Sequence, residues 1–148
     1  MKTLLLIITL FAFLQSAFLG VNLVLVVLIA RSLILDDRDN LYLAFFGGLI
    51  LSFLTQVNLG YYPLVFMLVM VVSGAIKKLP VSFNALTVFV SGALLITLVA
   101  LINSYFIDEF LVLYPHVIEL LLVVPVYFLV KLWEERFIVK SHTKLRMR

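Results

Sequence analysis

Cysteine is absent from this chain of 148 residues, and glycine, proline and histidine are few. Without cysteine the chain has no disulfide bonds, thiolate metal ligands or cysteine nucleophiles. Charged residues make up only 13% of the sequence, whereas 65% of the residues are hydrophobic. A water-soluble domain of this length cannot hide so much apolar side chain, because its surface is large relative to its volume. The composition therefore predicts a membrane protein.

The net charge is +3, which in a soluble protein would raise the question of nucleic-acid binding. In a membrane protein, basic residues instead mark the cytoplasmic ends of the spans. The distribution of the basic residues, described below, follows that second pattern. We therefore expect no nucleic-acid partner.

The N-terminal segment has the general form of a secretory signal, with Lys2 followed by an apolar stretch. However, the chain stays uncharged until Arg31, whereas a cleaved signal is normally followed by a more polar domain. We interpret the segment as a retained helix. The uncharged stretch is too long for one span of a hydrocarbon core about 30 Å thick. Gly20 and Asn22, which favour a turn, divide it into two short helices.

Similar breaks divide the rest of the chain. The loop after residue 35 is charged, Gln56 to Pro63 contains several turn-forming residues, and Lys77-Lys78-Leu79-Pro80 ends another apolar segment. Six transmembrane helices are predicted, at residues 3–19, 22–35, 41–57, 62–76, 82–105 and 115–133. Residues 1–133 form the membrane domain of this all-α protein, and residues 134–148 form a basic cytoplasmic tail.

The charges predict the orientation. With the N-terminus inside, all 11 Lys and Arg residues fall on the cytoplasmic side, and Asp108 and Glu109 fall outside. This partition favours an even number of spans with both termini in the cytoplasm. Arg31 lies one turn inside the second helix, and we expect its side chain to snorkel to the interface. The tail is expected to contact anionic lipid through four basic residues: Lys140, Lys144, Arg146 and Arg148.

No catalytic or metal-binding constellation is visible, so the sequence predicts neither an enzyme nor a cofactor. His116 and Glu119 are three residues apart and share a face near the outer end of the sixth helix. A carboxylate within a span is often functional. The pair is interpreted either as a contact for an ion, ligand or partner, or as a hydrogen-bonded pair at a wet helix end.

Small and polar residues on the third helix and at its outer end form a candidate docking face for a partner helix, since small residues let backbones approach closely in lipid. They are Gly47, Gly48, Ser52, Gln56, Asn58 and Gly60. The competing interpretation is that Gly48 and Ser52 seat the third helix against the sixth.

Four segments occur along the chain in a recognisable order. They are Leu14-Gln15-Ser16, Asn22-Leu23-Val24-Leu25 with Ala30-Arg31, Gly48-Leu49-Ile50-Leu51-Ser52 with Leu59-Gly60, and Pro125-Val126-Tyr127-Phe128-Leu129-Val130-Lys131. With these segments the chain resembles the rod shape-determining MreD family of bacterial membrane proteins over nearly its whole length. Ser52 stands where the family usually has an acidic residue.

The resemblance implies a multi-pass protein of the bacterial inner membrane and a scaffold of the cell-elongation complex. The implied partner is the single-pass protein MreC, with the MreB filament and the elongation transglycosylase and transpeptidase nearby. It also implies a fold similar to the substrate-binding subunits of energy-coupling-factor transporters. Such a vitamin-transporter subunit is the alternative function.

Overall fold

The computed structural model describes residues 2–18, 21–35, 37–78, 84–106 and 113–144. Within these residues every regular element is an α-helix, and there are six of them. They are α1 (Lys2–Phe18), α2 (Leu23–Ile34), α3 (Asp39–Thr55), α4 (Tyr61–Lys77), α5 (Ala85–Phe106) and α6 (Leu113–Lys144). The predicted all-helical class and the predicted number of helices are confirmed.

The breaks lie where turn-forming residues predict them. Asn22 caps α2, its side-chain oxygen accepting a hydrogen bond from the amide of Leu25 at 3.1 Å. Asparagine suits this position because it satisfies an amide that the first helical turn leaves unpaired. At the other break α3 ends at Gln56, whose left-handed backbone (φ 55°) turns the chain towards α4.

The predicted end of the sixth helix near Trp133 is wrong, because α6 continues to Lys144. The residues that follow Trp133 include Glu134, Glu135 and Arg136, which favour helices, and no glycine or proline interrupts them. The boundary predicted between membrane domain and tail therefore lies inside a helix. Lys140 and Lys144 belong to α6, but their side chains, like all of Arg146 and Arg148, lie outside what the structure describes. Their contact with anionic lipid stays a prediction.

The short helix α2 lies at the centre of the bundle and contacts all five other helices. Ten of its 12 residues are buried, in an unbroken run from Val24 to Leu33. A helix that is apolar on all sides is expected to be enclosed by others. The other helices are arranged around α2, so that their inner faces and α2 form one apolar core.

The outer helices bury one face and expose the other. On α5 the buried residues recur at helical spacing, as Val88, Ser91, Gly92, Leu95, Ile96 and Val99. Its opposite face is also apolar: Leu94 is 52% exposed and Leu101 is 61% exposed. Exposed large apolar side chains occur on each of the five outer helices, and none occurs on α2.

In the part of the chain that the structure describes, two helices are long and apolar enough to cross a membrane, at Ala85–Phe106 and Pro115–Arg136. Four shorter apolar helices accompany them within the described residues, at Leu4–Ser16, Leu23–Ile34, Asp39–Thr55 and Tyr61–Lys77. The shorter helices have 12 to 17 residues. At a rise of about 1.5 Å per residue, they are shorter than a hydrocarbon core about 30 Å thick.

At Gly48, α3 packs tightly against the first turn of α4. A Cβ atom added there would lie 2.5 Å from the backbone nitrogen of Pro63 and 2.6 Å from its Cα atom. Because these are backbone atoms, no side-chain rotation could relieve the contact. Only glycine lets the two helices pack this closely.

We expect Gly48→Ala to lower the free energy of unfolding by about 1–3 kcal/mol, the usual effect of overpacking a well-packed contact. Gly60→Ala is the matched control, because nothing lies within 4 Å of the position that its Cβ would take. Unfolding by SDS titration in mixed micelles measures both variants. Equal stability of the two variants would contradict this packing.

Candidate functional site

Arg31, near the end of α2, forms a buried ion pair with Glu134 of α6. The Arg31 Nε atom lies 3.1 Å from Oε1 of Glu134, and both side chains are almost fully buried. Arg31 also donates from Nη1 to the side-chain oxygen of Asn40 on α3. Asn40 in turn donates from Nδ2 to the carbonyl of Leu35 at 2.6 Å. This polar cluster, Arg31–Asn40–Glu134, joins three helices.

The expectation that Arg31 snorkels to the interface is wrong, since Arg31 is only 4% exposed. The cause is the continuation of α6 beyond Trp133, which brings Glu134 beside the guanidinium group. Sequence reasoning missed Glu134 and Asn40, because it assigned Glu134 to a solvated tail and Asn40 to a solvated loop. The available signal was Arg31 itself, since a charge within an apolar helix calls for an opposite charge close by.

Polar contacts near the same end of α2 also attach it to α4. The hydroxyl groups of Ser32 and Ser73 lie 2.6 Å apart in the core. Lys77 donates from Nζ to the carbonyl of Ile34 at 2.6 Å. Carbonyl groups in the last turn of a helix have no partner within that helix, and a lysine at this position supplies one.

At the opposite end of α2, Glu119 of α6 accepts a hydrogen bond from the backbone amide of Asn22 at 2.6 Å. The amide of Val24 donates to the side-chain oxygen of Gln15 on α1 at 3.3 Å. The first amides of a helix lack partners within it, and its N-terminus attracts negative charge. Glu119 therefore supplies a hydrogen-bond acceptor for a backbone amide at the start of α2.

The predicted pair of His116 and Glu119 shares a face of α6, but within the described residues no hydrogen bond joins the two side chains. The structure instead gives Glu119 a partner on α2. Both residues are partly buried. The hydrogen bond from Asn22 explains how the Glu119 carboxylate is accommodated among uncharged neighbours. It does so under either of the two interpretations of the pair.

The predicted docking face is divided between the core and the surface. Gly47 and Gly48 are buried, with Gly47 packed against Ile8 of α1 and Val24 of α2. The competing interpretation placed Gly48 against the sixth helix. In the structure Gly48 packs against α4 instead. Ser52 is 1% exposed, and its hydroxyl has no hydrogen-bond partner among the described residues.

The other three residues of that face, Gln56, Asn58 and Gly60, are exposed in the turn between α3 and α4. We call the whole segment from residue 56 to residue 60 the α3–α4 turn. A partner could reach this turn without any rearrangement of the bundle. Docking of a partner here stays a prediction.

The polar clusters hold helices together, because their charged side chains are engaged by groups on neighbouring helices. Arg31 is engaged by a carboxylate and an amide, and Glu119 by a backbone amide. Among the described residues no three His, Asp or Glu side chains are grouped as a metal site would need. Comparison with known proteins found no matching family, no similar curated protein and no similar solved structure.

We expect Glu119→Ala to lower the free energy of unfolding by about 1–3 kcal/mol, because it leaves a helix amide without its partner. Glu119→Gln keeps an oxygen at the accepting position and should retain most of the stability. SDS titration of the two variants beside the unmodified chain measures the difference. If glutamine is as damaging as alanine, the negative charge itself is required, and an ion or ligand contact becomes the better explanation.

Proposed function

We propose that the chain is a multi-pass membrane protein of six spans, with both termini in the cytoplasm of a bacterium, and that it acts as a non-enzymatic scaffold. The observation that most supports the membrane embedding is the apolar exterior of all five outer helices, which surround the enclosed α2. Such a surface is stable in lipid and would aggregate in water.

The directions of the helices support an alternating path through the membrane. Asn22 at the start of α2 meets Glu119, and Arg31 near its end meets Glu134, so α2 and α6 run in the same direction. Ser73 and Lys77 follow Ser32 and Ile34 in the same order, so α4 runs this way too. In six successive membrane crossings each helix reverses the direction of the one before it. The three even-numbered helices must then run in the same direction, as they do here.

The polar groups support the same embedding. The end of α2 that carries Arg31 also gathers Arg38, Lys77 and Lys78 from the neighbouring elements. This is the arrangement expected of the cytoplasmic side. The short α2 need not reach both membrane surfaces, because Glu119 and the Arg31–Asn40–Glu134 cluster satisfy its two ends within the protein.

The scaffold role comes from the resemblance to the MreD family, whose glycine and Leu-Gly segments correspond here to a tightly packed hairpin. Gly48 allows α3 to pack on α4, and this contact holds the α3–α4 turn at one end of the bundle. The proposed partner is the single-pass protein MreC. The complex would position the elongation transglycosylase and transpeptidase relative to the MreB filament in the inner membrane.

We expect the tagged chain, co-expressed with the MreC protein of the same genome, to retain it through purification in mild detergent. An unrelated single-pass protein is the negative control. Gly60→Trp should reduce retention at least severalfold, because open space around Gly60 lets the fold accept the side chain while it obstructs the α3–α4 turn. Thr97→Trp, on the exposed face of α5, is the matched control.

Full retention by the Gly60 variant would show that the turn is not the docking site. Purification of the chain without MreC, but with a tightly bound vitamin, would contradict the scaffold role and favour the transporter subunit.

A further inference from the structure

A cleft of about 510 Å³ lies between the α2–α3 connection and α4, at the end of the bundle that holds Arg31. Ser32 and Asn40 contribute to its polar part, and both side chains are engaged in hydrogen bonds. Arg38 and Lys78 also line it, and both are exposed. The volume is within the range of pockets that bind small molecules.

The basic residues at this end divide into two groups. Arg31 and Lys77 are used inside the protein, the first by Glu134 and Asn40 and the second by the carbonyl of Ile34. The side chains of Arg38 and Lys78, by contrast, have no hydrogen-bond or ion-pair partner among the described residues. Two cations without a side-chain partner among the described residues, beside a cleft, favour an anionic ligand.

Apart from Asp37, the rest of the lining is apolar, and it continues along the surface of α4. Val71 and Ala75 line the cleft and are exposed. Leu64, which is 72% exposed, and Leu68, which is 47% exposed, continue the same face of α4 away from the cleft, at helical spacing. From residue 64 to residue 75 this stripe is about 16 Å long. A small inorganic anion makes no contact with such an apolar stripe, whereas an acyl chain can pack along it.

We propose that this cleft binds the headgroup of an anionic phospholipid of the cytoplasmic leaflet, with an acyl chain along Leu64, Leu68 and Val71. Arg38 and Lys78 bind the phosphodiester. Asp37, which also lines the cleft, accepts a hydrogen bond from a headgroup hydroxyl, and among the lining residues the two cations outweigh its charge. This favours phosphatidylglycerol. The proposal rests on the membrane embedding proposed above and not on the scaffold role.

Native mass spectrometry of the full chain, titrated in detergent with phosphatidylglycerol or with phosphatidylcholine of the same chains, tests the site. We expect preferential binding of phosphatidylglycerol. The double variant Arg38→Gln, Lys78→Gln should weaken it about tenfold or more, from the usual contribution of two basic residues near an anionic surface. The matched control is Lys131→Gln, Arg136→Gln, which removes the same charges from exposed positions of α6 outside the cleft.

Ala75→Trp separates the apolar part of the site from its charges. It fills the cleft, keeps both cations, and should weaken lipid binding by a similar factor. Equal loss in the cleft and control double variants would overturn the proposal, as would unchanged binding in the tryptophan variant. Displacement of the lipid by millimolar inorganic phosphate would also overturn it, in favour of a site for a free anion. Recovery of the unmodified chain in the soluble fraction would instead contradict the membrane embedding itself.

Discussion

A charged side chain inside an apolar bundle is costly unless an opposite charge and hydrogen bonds compensate it. Arg31 is such a side chain, and the arrangement of the helices follows from its needs. The remaining nine residues in the buried run of α2 are uncharged, so α2 can be enclosed only if Arg31 is paired within the protein. Glu134 supplies the carboxylate, 103 positions further along the chain, and Asn40 supplies a second acceptor.

This requirement ties distant parts of the chain together. Glu134 lies beside Arg31 because α6 remains helical past Trp133, and α6 runs in the same direction as α2. Glu119, four helical turns earlier in α6, accepts a hydrogen bond from the amide of Asn22 at the start of α2. The two ends of α2 are thus held by one helix. The surrounding helices are free to present apolar faces outward, because the polar groups of the centre are already satisfied.

The sequence predicts the helices and their breaks, since Gly20, Asn22 and the α3–α4 turn carry local signals that act without tertiary context. It does not distinguish α2 from α5. Both are apolar on nearly every side, yet α2 is enclosed while α5 exposes one face. Only the packing of the whole chain decides which helix is enclosed. The partners of Arg31 and the contact of Gly48 with Pro63 were missed for the same reason. Each depends on residues that local patterns cannot bring together.

The most direct test of this account is a double-mutant cycle on the ion pair. Arg31→Met and Glu134→Leu each leave an uncompensated buried charge, so each should lower the free energy of unfolding by about 3 kcal/mol or more. The double variant leaves neither charge and should cost clearly less than the sum of the two. Glu135→Gln, at the exposed neighbouring position, should be close to neutral. Additive effects in SDS titration would show that Arg31 and Glu134 do not interact and would contradict the account.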